Sequence, residues 1–559
     1  MLVCLPLACA VPVPPGGGLP DSTPPSIVQT IPSDGQTNFS GSSVEFEFNE
    51  AIDVRTFGRA LSITPDLVGP PRISGSGKKI KVSLPGELRE STTYILTLDV
   101  SLRDLHNVSL ESPISIAFST GDEIDGGRMS GRLVHASNGQ AAGGVDVFAF
   151  ADNDSLTLRS LPLYRTQTGS NGSFRFNYVS TGEYFVVAVV DANRNRLMDE
   201  GEKRAVPPLD RIPADSLGAS PSRPWILAVH DRIPPTIERV RAVSSRDLEL
   251  RFSEPLDTDV NHPSTFGFAE SHRLTLQDSL GNSVGEVGEL YFTESRSRIL
   301  FARVDSLSPG SYSLLGSAPV SDSLGNKMQE GAWPFTVSSL VSASTPPAFL
   351  NWTPDSLVVI PNQARRVWNP ERFGIRLSSP AARLQMSITD TTGATLDLTI
   401  NRLDPTYFEI GQGQRSTQDA PFLVKIEDLQ PDTTISGLFQ FASSRLSGAL
   451  VFETKNASGP IVVEVFRRDR DTLPVMTISS QDPSITLDGL PGGFRARLRV
   501  YVDLDGNGRW NAGSLRPFQP SEPLDWVAAD EPVRARWDTV LPDTLDLGTL
   551  PADSAAENK

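Results

Sequence analysis

Two segments constrain this chain more than any other feature: VEFEFNEAID at 44–53 and LELRFSEPLD at 248–257. In each, apolar side chains alternate, at Val44, Phe46 and Phe48 and again at Leu248, Leu250 and Phe252. A period of two is the signature of a strand with one face buried. Each segment then passes through an acidic turn and follows a Pro-Pro entry, at Pro24-Pro25 and Pro234-Pro235. Matching strands come later, in TTYILTLDVSLRDLHN (92–107) and GSYSLLGSAPVSDSLGN (310–326), and each copy closes on ISIAFST or WPFTVSS. Residues 24–122 and 233–340 are therefore two copies of one all-β unit.

A third Pro-Pro entry, at Pro346-Pro347, opens a degenerate copy over 344–437 whose acidic turn is not recognisable. A different unit also occurs twice. MSGRLVHASNGQAAGGVDVFAF (129–150) pairs with LSGALVFETKNASGPIVVEVFRR (446–468), and GSFRFNYVSTGEYFVVAVVDANRNRLMDEGE (172–202) pairs with PSITLDGLPGGFRARLRVYVDLDGNGRWNAGS (483–514). These place two further sandwiches at 126–230 and 440–550, before a disordered tail at 551–559. The fold expected is all-β, a tandem array of about five sandwiches. The 44 Gly and 45 Pro, spread along the chain, suit many short strands joined by turns.

The first repeat, with its Pro-Pro entry, its F-[NS]-E strand and its late Tyr-bearing strand, resembles the bacterial Ig-like domain first recognised in S-layer proteins. The second, with [ML]-S-G-[RA]-L-V and an Asp/Asn loop, is similar to the carboxypeptidase-regulatory or transthyretin-like sandwich. The resemblance implies three Ig-like and two carboxypeptidase-regulatory-like domains. The arrangement as a whole looks like the Ig-like-domain lipoproteins of Bacteroidetes, which implies a cell-envelope address and no particular reaction.

Both cysteines, Cys4 and Cys9, lie within the first nine residues. The rest of the chain can hold no disulfide, thiolate metal site or cysteine nucleophile. Leu5-Pro6-Leu7-Ala8-Cys9-Ala10 resembles the end of a bacterial lipoprotein signal peptide, cut before a cysteine whose thiol is acylated. Residues 1–9 then read as a shortened leader; a leader normally runs about 15 to 30 residues with a positive start. Residues 10–25, with six Pro and three consecutive Gly, read as an extended tether. The partner expected for Cys9 is a lipid bilayer, the outer membrane of a Gram-negative cell on either face, with an envelope protein or a glycan as the further partner. No later stretch reaches the roughly 18 apolar residues of a membrane-spanning helix.

The net charge of −17 disfavours nucleic acid as a partner. Enzyme signals are weak. Five histidines are scattered without metal-ligand spacing, there is no G-x-S-x-G elbow, and GSGKK at 75–79 reads as a lysine-bearing hairpin turn rather than a phosphate loop. The pairs Glu50 with Asp53 and Glu254 with Asp257 recur in both Ig-like copies, which marks a shared polar turn rather than acid–base chemistry. No cofactor is required by any of these features.

The one candidate ligand is calcium. In DANRNRLMDEGE, Asp191, Asn193, Asn195, Asp199 and Glu202 hold positions 1, 3, 5, 9 and 12 of a calcium-type loop, with Arg196 where glycine is favoured. In DLDGNGRWNAGS, Asp503, Asp505, Asn507 and Asn511 hold positions 1, 3, 5 and 9, Gly508 sits at 6, and Ser514 at 12 is a poor ligand. The alternative is a strand-end turn, which Asp and Asn also favour without metal. Trp352, Trp368, Trp510, Trp526 and Trp537 offer either core anchors or a sugar-stacking platform. The function expected is that of a non-enzymatic, lipid-anchored spacer or binding scaffold. The alternatives are a carbohydrate- or peptidoglycan-binding module and a calcium-stiffened adhesin.

Overall fold

The computed structural model describes residues 21–548 apart from 152–160, 200, 219–222, 258–273, 294–297, 319, 323, 343–346, 354–357, 360–364, 368–372, 382–383, 412–419, 431–432, 442–443 and 468–473. The chain is nearly all β, and among the described residues its strands form sheets around five larger apolar cores and a sixth, smaller cluster. Cys4, Cys9, the tether up to residue 20, Trp368 and the tail at 551–559 lie outside the described residues. Backbone contacts divide the chain into two units: 1–230 with 511–522 and 549–559, and 231–510 with 523–548.

In the first unit, the alternating strand Ser43–Phe48 pairs with Ile27–Ile31 on one side and Lys79–Ser83 on the other. The register sets Val44 against Val82 and Phe46 against Ile80, so one face of the sheet is a continuous apolar stripe. A second sheet of Leu61–Thr64, Thr93–Leu98 and Ile114–Ser119 covers it. Phe46, Phe48, Phe57, Tyr94 and Phe118 fill the gap and are almost wholly buried. Phe57 comes from the short helix Val54–Ala60 and meets Phe46 edge-on at 5.4 Å. GSGKK forms the hairpin between Arg72–Ser76 and Lys79–Ser83, with Gly77 at φ +63° supplying the left-handed turn.

Residues 127–229 form one large sheet in which Trp225–Val229 runs parallel to Gly127–His135. Here the strands Asp146–Phe150 and Gly182–Val189 are apolar on both faces. Val147, Ala149, Val186 and Ala188 face one core. Phe148, Phe150, Phe185, Val187 and Val189 form a second cluster on the other face, together with Met198, and Leu515 and Phe518 of the hairpin Ser514–Gln519 cover it. Uninterrupted apolar runs are what a sheet covered on both sides requires.

In the second unit, Asp247–Phe252 repeats the first alternating strand. It pairs with Ile237–Ala242 and Ile299–Val304 in a seven-stranded sheet, with Leu248 opposite Ala302 and Leu250 opposite Leu300. Residues 349–441 make two sheets around Trp352, Phe373, Phe422 and Phe439. Residues 447–502 and 524–546 make two four-stranded sheets.

Candidate functional site

The first calcium-type loop is brought together by the fold, but it is closed by its own hydrogen bonds. Asp191 leaves the end of the strand Gly182–Val189, and its two carboxylate oxygens accept the backbone N–H of Asn195 (3.1 Å) and Arg196 (2.8 Å). The amides of Asn193 and Asn195 both donate to Asp199 Oδ2, at 2.6 and 2.8 Å. Glu202 accepts from Ala192 N–H and Asp199 N–H, each at 3.1 Å. Arg196 adopts φ +63° where glycine is favoured, at a cost of about 1–2 kcal/mol. Met198, one residue before Asp199, is buried in the outer apolar cluster and anchors the loop to the sheet. Asp191, Asp199 and Glu202 do not form a group of three carboxylates with ligand oxygens within 4.8 Å of one another.

The second loop repeats the opening of the first. Asp503 accepts the backbone N–H of Asn507 (3.1 Å) and Gly508 (2.9 Å), and Asn507 Nδ2 donates to Asp505 at 2.9 Å. Gly508 takes φ +74° at no steric cost. The side chain of Asn511 caps a local turn, accepting from Gly513 N–H at 2.9 Å.

The acidic turns of the two Ig-like copies separate the residue pairs seen in the sequence. Asp53 is the N-cap of the helix Val54–Ala60 and accepts Arg55 N–H, which lowers its pKa. Asp257 is paired with the guanidinium of Arg509. Glu50 and Glu254 turn away from them, towards a second set of acids. In the first copy Glu50 meets Asp104, Asp21 and His106; in the second Glu254 meets Asp322 and Asp231. In each group one ligand atom per residue lies within 4.8 Å of every other. Two unit charges at that separation repel by about 3 kcal/mol at an effective dielectric near 20. The pKa of Glu50 is raised by burial and by Asp104. That of Glu254 is raised by burial, then by Asp322 and Asp231.

These groups occupy corresponding places. Asp21 and Asp231 each stand three residues before the Pro-Pro entry. Asp104 and Asp322 each open a tight turn whose fourth residue, Asn107 or Gly325, has positive φ. In both turns the Asp N–H bonds back to the carbonyl four residues on, Val108 or Asn326. The reading of Glu50 and Glu254 as part of a shared turn had the right residues with the wrong neighbours. The signal for Asp104 and Asp322 was present in the aligned segments SLRDLHN and PVSDSLGN; only the strand pairing that folds each turn against the FNE or FSE segment was missing.

Three of the tryptophans pack against neighbouring rings or guanidinium groups. Trp352 lies in the core against Phe439 at 4.7 Å. Trp526 sits between Phe466 at 5.3 Å and the guanidinium of Arg497 at 4.3 Å. Arg499 approaches the ring of Trp510 at 5.6 Å, and Trp537 is exposed. Of the histidines, His106 joins the acidic turn; His262 and His272 lie outside the described residues.

Residues 21–120 match the family model of the bacterial Ig-like domain. No curated protein matches the chain. Among solved structures, the N-terminal part of the bacterial S-layer protein SbsC is 12% identical, with 38% of this chain and 45% of that one covered and a TM-score of 0.15. A longer SbsC structure, domains 1–6, is 11% identical and covers 91% of this chain and 67% of that one, with a TM-score of 0.16. A three-domain titin fragment is 10% identical over 48% of this chain and 93% of that one, at 0.15. Scores this low leave the fold to be read from the sheets themselves.

Proposed function

We propose that the chain is a non-enzymatic, lipid-anchored protein of the bacterial cell envelope that acts as a multi-domain spacer or binding scaffold. The observation that carries this reading is where the candidate chemistry goes. Among the described residues, Asp53 caps a helix, Asp257 holds Arg509, and the loop 191–202 binds its own backbone. The bacterial Ig-like match begins at residue 21, directly after the Pro/Gly-rich stretch that follows Cys9. Lipid on Cys9 and a tether over the residues after it would place these β-domains away from the membrane surface. No helix among the described residues is long and apolar enough to cross a membrane, and acylation supplies attachment without one.

The test is the N-terminal peptide of the protein purified from its native host, compared with Cys9→Ala. A mature chain beginning at an acylated Cys9, released from the membrane fraction by Cys9→Ala, is the expected result. An unmodified Cys9 in a protein that fractionates away from membranes would overturn the anchor.

A further inference from the structure

We propose that Asp21, Glu50 and Asp104 bind a hard divalent cation, calcium by its chemistry, where the N-terminal segment enters the first Ig-like domain. Asp104 is 2% exposed, and its side chain is wholly buried. Its Oδ1 accepts Val108 N–H at 2.7 Å, but its Oδ2 has no hydrogen-bond partner. A buried carboxylate oxygen without a donor is a costly exception that calls for an ion or a water. His106 Nδ1 is 3.9 Å from Oδ2, too far to donate a hydrogen bond, and lies nearer to Asp21 Oδ2 at 3.3 Å; among the described residues no Lys or Arg pairs with Glu50 or Asp104.

The corresponding turn in the second copy shows what is missing. There Asn326 Nδ2 donates to Asp322 Oδ2 at 2.7 Å, while Asn326 N–H bonds Oδ1 at 2.9 Å. The sequence DSLGN recurs at 278–282 with the same closure, Asn282 Nδ2 to Asp278 Oδ2 at 3.0 Å. In the first copy the segment is DLHNV, and Val108 stands where the closing amide would be. The first turn keeps three carboxylates and gives up the internal donor.

The geometry fits calcium. Three oxygens within 4.8 Å of one another always share a point about 2.8 Å or less from each, a small contraction from the 2.3–2.6 Å of calcium–oxygen bonds. Asp21 is partly exposed, and its Oδ1 is held by Thr23 N–H at 2.9 Å. Water on that side fills the remaining positions of a six- to eight-coordinate ion. Because Asp21 precedes the Pro-Pro entry, the ion ties the incoming segment to the acidic turn.

The test uses the full chain, stripped with EDTA and dialysed against millimolar calcium chloride, with bound calcium counted by atomic emission. Asp104→Asn and Val108→Asn are each expected to lose one equivalent, while Glu202→Gln keeps it. Val108→Asn installs the side chain that the second copy already carries, so it tests the site in a turn known to tolerate it. Wild type that binds no calcium, or Val108→Asn that binds as much as wild type, would overturn the proposal.

Discussion

The two Ig-like copies place the same acids around the same turn and satisfy them differently. In the second, Asn326 reaches both Asp322 Oδ2 and the carbonyl of Asp231, at 2.7 and 2.9 Å, so one side chain closes the turn and holds the incoming segment. In the first, Val108 can do neither, and Asp104 Oδ2 is left without a donor. The same contrast runs up the alternating strand. Asp247 at the start of the second strand corresponds to Ser43 in the first, and Glu249 to Glu45. The second copy has internalised its charges with partners from its own chain; the first keeps its charged pairs at the surface and one acid open. A repeat thus preserves where a polar group sits more faithfully than what neutralises it.

The largest effect is expected at Asp247. It is fully buried and accepts from Ser244 Oγ (2.7 Å), Tyr291 OH (3.2 Å) and Arg303 Nε (2.9 Å). Asp247→Ser, which copies the first domain, leaves a guanidinium and a phenol without their acceptor. Removing one partner of a buried ion pair costs about 3–5 kcal/mol. A chain of several cores has no single unfolding free energy. The measurement is therefore hydrogen exchange against urea, followed separately at Asp247–Phe252 and Ser43–Phe48. Loss of protection confined to the second copy is expected; an equal loss in both would show that the copies do not unfold independently.

Next comes the exchange of the closing residue. Asn326→Val should destabilise the second copy by about 1–3 kcal/mol, the usual cost of orphaning a buried acceptor. It should also give that copy a response to calcium that the wild type lacks. In the unaltered protein, EDTA should lower protection at Thr93–Leu98 and Ile114–Ser119 and leave Gly310–Gly316 unchanged. At calcium ten times the dissociation constant, the difference is about 1.4 kcal/mol. Protection that falls equally in both copies would erase the distinction between an open and a closed turn.

Much of this architecture was legible in the sequence, for a physical reason. Period-two alternation in VEFEFNE and LELRFSE fixes which face is buried, and the pairing of Val44 with Val82 and Leu248 with Ala302 follows from it. The outer cluster of the 127–229 sheet was harder to read. The runs VDVFAF and YFVVAVV announce burial on both faces, but they do not say that Leu515 and Phe518, more than 300 residues later, supply the cover. The five residues that the calcium-type spacing in DANRNRLMDEGE picks out are joined by hydrogen bonds within one loop. Spacing along a chain does not reveal whether amide groups already occupy the oxygens, and in that loop they do. The Asp21–Glu50–Asp104 cluster draws on three separate segments, so no local motif could contain it.

The smallest effect lies on the exposed side of the same strands. Glu45 pairs with Lys81 at 2.9 Å, with both side chains about half exposed, at 48% and 49%. Such a cross-strand pair contributes about 0.2–0.5 kcal/mol and is screened by salt. Glu249, the corresponding residue, is only 11% exposed and lies 2.5 Å from Arg241 and 3.6 Å from Arg239. Both arginines remain more than half exposed, which holds the expected cost of Glu249→Gln near 1 kcal/mol. Glu45→Gln should be about half that or less and should vanish in high salt, whereas the Glu249→Gln effect should persist in part because its carboxylate is buried. Hydrogen exchange at the two strands, in low and high salt, reads both variants. If Glu45→Gln proved the costlier, the first copy would owe more to its surface charges than its exposure allows, and the division between internalised and surface charge would fail.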